Sequence, residues 1–249
     1  MSLGAKILSG TIWVSVDKFG TMFLQFFVNL ILARLLTPAD YGCIGMLAIF
    51  IVVSQVLIDG GFGSALIQKK QPTQVDYSTI FFWNLFFACF LYVVLFFSAP
   101  QIALFFKMPL LSDVLKVLGL ILIINSLGII QNNRLRKLLA FKKISLVNVL
   151  SLSAASLVGV FLAYRGWGVW SLVAMQLINA LLNAGTLWLV ARWYPSWTFS
   201  FATLKELFGF GGFLLASNVL QEICKNLQGL IIGRKFSSTE MGQIGRASC

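Results

Sequence analysis

An all-α, polytopic transmembrane bundle of about seven helices is the fold this sequence predicts, on three grounds. Of 249 residues, 59% are apolar and only 11% charged, against roughly a quarter charged in chains whose surface faces water. The mean hydropathy is +0.89. The apolar residues gather into seven long runs joined by short connections, and a bilayer core about 30 Å thick takes about 20 residues of helix. Lipid offers backbone groups no partners, so only helices or closed barrels span it. These runs are too long and too little alternating for barrel strands.

The run over residues 12–36 carries Asp17 and Lys18 and lacks a small-residue cleavage site. It is therefore the first helix rather than a cleaved signal peptide. The second run covers 42–68 and contains Asp59-Gly60-Gly61-Phe62-Gly63. Three glycines within four residues loosen a helix and mark a hinge or a tight packing site. Residues 78–99 and 114–130 give the third and fourth helices. The stretch 131–143, with five Lys or Arg, reads as a basic amphipathic interfacial helix. The fifth, sixth and seventh helices cover 144–164, 168–191 and 207–232.

Alternate connections differ in charge. One side collects ten Lys and Arg: Lys6, Lys69, Lys70, Arg134, Arg136, Lys137, Lys142, Lys143, Arg192 and Lys205. The other collects six: Arg34, Lys107, Lys116, Arg165, Arg234 and Lys235. The positive side faces the cytoplasm, which places the amino terminus there. Trp13, Trp83, Trp193 and Trp197 then mark the inner interface, with Trp167 and Trp170 at the outer.

Composition also excludes functions. Histidine is absent, removing the commonest general base and metal ligand. The four cysteines show no paired spacing for a disulfide framework or metal site. The net charge of +11 lies in membrane-flanking connections, not in basic runs interleaved with aromatics, so nucleic acid is not a partner. No cofactor motif is present.

Residues 30–42, Leu-Ile-Leu-Ala-Arg-Leu-Leu-Thr-Pro-Ala-Asp-Tyr-Gly, return at 230–242 as Leu-Ile-Ile-Gly-Arg-Lys-Phe-Ser-Ser-Thr-Glu-Met-Gly. Arg34 answers Arg234, Thr37 Ser237, Asp40 Glu240 and Gly42 Gly242. Six helices lie before the second copy, so both copies enter the membrane from the same side. That is a parallel repeat, as in two-lobed secondary transporters. The expected division is a six-helix lobe over 1–200, the start of a repeated second lobe over 201–242, and a tail over 243–249. A complete second lobe would bring the protein to roughly 400–480 residues.

Charges within the spans cost about 2.5–3.5 kcal/mol each at a helix centre, so they need a cavity or a partner. Lys18, Thr21, Gln25 and Asn29 follow helical spacing on the first helix, and Asn218, Glu222, Lys225 and Gly229 do so on the seventh. Shifted by 200 residues, Lys18, Gln25 and Asn29 fall on Asn218, Lys225 and Gly229. Repeat-related polar faces at matching places suit walls of one central cavity. Lys18 also has the reach to extend to the interface, and Glu222 and Lys225 stand three apart, close enough to pair. Gln176, Asn179 and Asn183 form a weaker polar stripe on the sixth helix, which interhelical hydrogen bonding explains equally well.

Several motifs in order resemble a known family. They are the stretch from Ala33 to Gly42, the stretch from Asp59 to Gln68, Phe141-Lys142, Gly166-Trp167-Gly168-Val169-Trp170-Ser171-Leu172-Val173, and Ile231-Ile232-Gly233. The resemblance is to bacterial polysaccharide flippases of the multidrug/oligosaccharidyl-lipid/polysaccharide exporter superfamily, over about residues 10–242. It implies a two-lobed bundle in the bacterial inner membrane working by alternating access. The implied cargo is an undecaprenyl-pyrophosphate-linked oligosaccharide, with membrane lipid and H+ or Na+ as further partners. Lys18 and Lys225 would meet the pyrophosphate, beside Gln25, Asn29 and Asn218. Asp17, Asp59 and Glu222 would serve ion coupling or pairing. After Gly242 the chain departs from the family, and Gln243-Ile-Gly-Arg-Ala-Ser-Cys249 matches what a common sequencing adaptor would encode. That tail is expected to be non-native.

A drug or toxin exporter of the same superfamily shares this architecture and is the alternative. A membrane-embedded polysaccharide polymerase or ligase fits less well. It needs a sizeable extracytoplasmic loop for its acceptor, and every outer connection here is short. The sequence therefore predicts a transporter rather than an enzyme.

Overall fold

The computed structural model describes residues 3–235, with side chains over 10–209 and 211–225. Its helices are α1 (Leu3–Leu35), α2 (Pro38–Asp59), α3 (Phe62–Gln68), α4 (Gln74–Phe105) and α5 (Leu110–Leu118), then α6 (Leu120–Lys137), α7 (Phe141–Tyr164), α8 (Val169–Ala191) and α9 (Phe201–Lys235). Six spans are long and apolar enough to cross a membrane, α2 with α3 and α5 with α6 each making one. The two parts of α9, Phe201–Gly209 and Gly211–Lys225, meet at 58° and together are long and apolar enough to count as a seventh if they form one broken span. The chain is a multi-pass, all-α membrane protein. Residues 236–249, with most of the second repeat copy and the expected tail, lie outside the described residues.

The repeated motif has a local physical role. Thr37 caps α2 with Pro38 in its first turn, and the Asp40 carboxylate accepts the Thr37 N–H at 2.9 Å and its hydroxyl at 2.7 Å. Thr73 and Asp76 build the same reciprocal box at the start of α4, the Thr73 N–H donating to Asp76 at 2.8 Å. Each box satisfies N-terminal donors that lipid or interface cannot. The glycine-rich stretch breaks the second span between α2 and α3, with Gly60 at φ 58° and Gly61 at φ 72°. The break is also where α9 crosses: a Cβ on Gly61 would stand 2.5 Å from the Gly211 carbonyl oxygen.

In the bundle, α7 packs between α1 and α8, α6 packs on α8 and α4, and α9 lies against α2, α3 and α4. Small residues permit the close crossings, as expected where lipid supplies no hydrophobic drive. A Cβ on Gly159 would meet the Met175 side chain at 2.8 Å, and Gly128 faces Ala184 and Leu187. Phe19, Phe23 and Phe97 are exposed on the outside of the lobe, where lipid would cover them.

Two expectations are corrected. Residues 131–143 form no separate interfacial helix: 131–137 continue α6, a turn follows, and α7 begins at Phe141. The basic side chains explain why. The Lys137 ammonium donates to the carbonyls of Leu66, Ile67 and Lys69, capping the end of α3. The Arg134 guanidinium lies over the rings of Tyr77 and Trp193. Trp193 is likewise not a lipid-facing belt residue. It is 5% exposed, and its indole N–H donates to Gln74 Oε1 at 2.6 Å.

Candidate functional site

The most polar enclosure among the described cavities is a cleft of about 220 Å³ where α1, α7 and α8 meet. Asp17, Thr21 and Gln25, each four residues apart, project from one face of α1. Asn148 comes from α7, and Asn179 and Asn183 from successive turns of α8. The parallel packing of α1 on α7 brings these sets to one level.

Hydrogen bonds order the cleft. Asn148 Nδ2 donates to both Asp17 carboxylate oxygens, at 3.1 and 3.3 Å. Asn183 Nδ2 donates to Asn148 Oδ1 at 2.9 Å. The relay runs from α8 through α7 to α1 and ends with the Asn148 amide on the Asp17 carboxylate. The Thr21 hydroxyl turns back to donate to the Asp17 backbone carbonyl at 2.6 Å, a helix-internal bond. A carboxylate ringed by amide groups on three helices suits a small cation or a proton, because each amide oxygen can turn to the ion as a ligand.

Of the residues singled out in the sequence, Asp17, Thr21, Gln25, Asn179 and Asn183 line this cleft, and Lys18, Asn29 and Gln176 do not. Lys18 is exposed on the next face of α1, and Asn29 is half-buried one turn beyond Gln25. On α9, Asn218 and Lys225 are exposed, and Lys225 Nζ lies 2.9 Å from Glu222 Oε1. The helices carrying Lys18 and Lys225 have different neighbours, α7 for α1 and α2, α3 and α4 for α9. Asp59 sits at the end of α2 beside α6. A Cβ on Gly63 would lie 3.0 Å from Asp59 Oδ1 and 2.9 Å from Asn133 Nδ2. Asn148 escaped the sequence reading because it is a lone amide on an apolar helix. Its signal was an amide in mid-span, where each polar group is costly.

A second polar node joins the start of α9 to the six-helix lobe. Lys69 Nζ lies 3.3 Å from Asp76 and 3.2 Å from Glu206. Burial opposes the Lys69 charge, but the hydrogen bonds and charges of Glu206 and Asp76 outweigh it and hold its pKa above the usual lysine value. Close by, the Ser78 hydroxyl accepts the Ser196 N–H and Thr79 accepts that of Ser200. The 192–200 connection is thereby stitched to α4.

The chain matches the family of polysaccharide biosynthesis proteins over residues 31–248. It is 30% identical to the teichuronic acid biosynthesis protein TuaB of Bacillus subtilis, over 97% of this chain and 50% of that protein. It is 26% identical to the succinoglycan biosynthesis transport protein ExoT of Rhizobium meliloti, over 99% of this chain and 50% of that protein. The lipopolysaccharide biosynthesis protein WzxC of Escherichia coli is 23% identical over 94% of this chain and 48% of its own length. The chain spans about half the length of these relatives. No solved structure matches it.

Proposed function

Because the chain belongs to the polysaccharide biosynthesis protein family, we propose that its six-helix lobe is one wall of a translocator for lipid-linked oligosaccharide. The cargo, a sugar chain on undecaprenyl pyrophosphate, passes across the bacterial inner membrane by alternating access, with no covalent bond made or broken. The reading rests most on the Asp17 cleft. An ionisable group inside a membrane lobe is costly and marks an ion or substrate path by default. Here it is held by an amide relay spanning three helices. Loading the carboxylate with H+ or Na+ would change what Asn148 and Asn183 donate to, and so bias how α1 seats on α7 and α8.

In this account residues 1–200 form the first lobe, 201–242 begin the second, and the amino terminus is cytoplasmic. Lys18 and Asn29 on α1 and Asn218 and Lys225 on α9 face a passage between lobes, where the two lysines meet the pyrophosphate, and Gln25 lines the Asp17 cleft beside it. Glu222 holds Lys225 until the anion arrives, and Asp59 pairs within the α2–α6 contact.

Deleting the gene tests the reading. Lipid-linked oligosaccharide should accumulate on the cytoplasmic leaflet while surface polysaccharide falls, and re-expression should reverse both. Intact polysaccharide together with altered resistance to small drugs would instead assign the protein to drug export.

A further inference from the structure

The α1–α7 pair carries a second, chemically opposite groove. It lies toward the carboxyl ends of both helices, several turns from Asp17, and encloses about 560 Å³. Its walls are almost wholly apolar, with Ile31 and Leu35 from α1 and Leu157, Phe161 and Tyr164 from α7. Nothing in it suits a sugar: there is no carboxylate and no amide side chain, and the Tyr164 phenol is the sole hydroxyl among the lining residues.

Two guanidiniums stand at its mouth. Arg34, in the last turn of α1, is itself a lining residue. Arg165, which follows the last residue of α7, lies 4.9 Å over the ring of Phe161, one of the walls. Both are exposed, and among the described residues neither is in an ion pair. Guanidinium forks match the oxygens of a phosphate better than an ammonium does. Two of them at the interface, above an apolar trough, complement one molecule in charge and shape: a phosphodiester headgroup with an acyl chain beneath it.

We propose that this groove is a binding site for an anionic glycerophospholipid of phosphatidylglycerol type. One acyl chain fills the trough, and Arg34 and Arg165 hold the phosphate at the membrane face where α1 ends. Bound there, the lipid bridges α1 to α7 at the end opposite the polar relay.

The test is native mass spectrometry of the full chain purified in mild detergent, with equal amounts of phosphatidylglycerol and phosphatidylcholine added. Phosphatidylglycerol should be retained preferentially, and Arg34→Gln and Arg165→Gln should each weaken retention about five-fold, the worth of about one interfacial cation. Arg34→Lys should recover part of the loss. Leu157→Trp, which fills the trough and spares both arginines, should also lower retention, and Lys107→Gln in a different groove should not. Equal retention of the two lipids would overturn the proposal, as would unchanged selectivity in the double arginine variant. So would displacement of phosphatidylglycerol by undecaprenyl phosphate at lower concentration, which would hand the groove to the carrier lipid.

Discussion

Asn148 on α7 donates to both carboxylate oxygens of Asp17 on α1, and Asn183 on α8 donates in turn to Asn148. One amide therefore stands between a carboxylate and the third helix of the site. Removing it strands a charge rather than merely deleting a bond, which is the more expensive loss. Asn148→Leu should destabilise the lobe by about 1–2 kcal/mol, and Asn183→Leu by less, since Asp17 keeps its donor. Thermal unfolding of the purified protein in detergent, followed by tryptophan fluorescence, ranks the two.

Thr37 and Asp40 form a closed box whose members serve the same helix end. Thr37→Ala should cost about 1 kcal/mol. Adding Asp40→Ala should cost less than it does alone, because the hydroxyl bond is already gone and only the backbone N–H bond of residue 37 is left to lose. A double-mutant cycle on unfolding temperature reads the coupling.

Much of this local structure was legible in the sequence. Thr-x-x-Asp occurs at 37–40 and 73–76, and each copy starts a helix, because the box needs only four consecutive residues. The break at Gly60-Gly61 was legible for the same reason. The site was half legible. Lys18, Thr21 and Gln25 share two members with Asp17, Thr21 and Gln25, and the stripes differ by one residue, about 100° around a helix. Nothing in α1 alone says which stripe turns to α7. Asn148, 131 residues away, settles it. Trp193 was misplaced on similar grounds, since the partners that bury it, Gln74 and Arg134, are distant in sequence.

The Lys69 node should respond unequally to its two acids. Glu206 is exposed and Asp76 buried, with side chains 63% and 4% accessible. Glu206→Gln should change stability by no more than about 0.5 kcal/mol. Asp76→Ala should cost about 3 kcal/mol, because it removes both a buried partner and the α4 cap. The raised Lys69 pKa fixes the sign of the pH effect. Its contribution is complete below the unfolded value and is lost only as pH rises through the folded one. Unfolding temperatures should therefore show no loss from Lys69 between pH 6 and 9, and a decline above about pH 10 that Lys69→Gln abolishes.

Gly61 leaves room for Gly211 and holds a left-handed conformation, so Gly61→Leu is disfavoured on both counts. The substitution should push α9 off the α2–α3 break. Phe62 and Phe208, whose ring centroids lie 6.0 Å apart across that contact, offer the probe. In a background lacking the native cysteines, Phe62→Cys with Phe208→Cys should be joined by a short bifunctional thiol crosslinker, and adding Gly61→Leu should slow the reaction at least several-fold.

The most direct measurement is polysaccharide export in a strain dependent on the full-length protein, with Asp17→Asn compared against wild type at matched membrane levels. Asparagine keeps the shape of the side chain and its place beside Asn148, and removes the charge that H+ or Na+ would neutralise. In the Asp17→Asn strain lipid-linked oligosaccharide should stay on the cytoplasmic leaflet and surface polysaccharide should fall at least ten-fold, the factor for about 1.4 kcal/mol. Export at the wild-type rate from Asp17→Asn would contradict the proposed function.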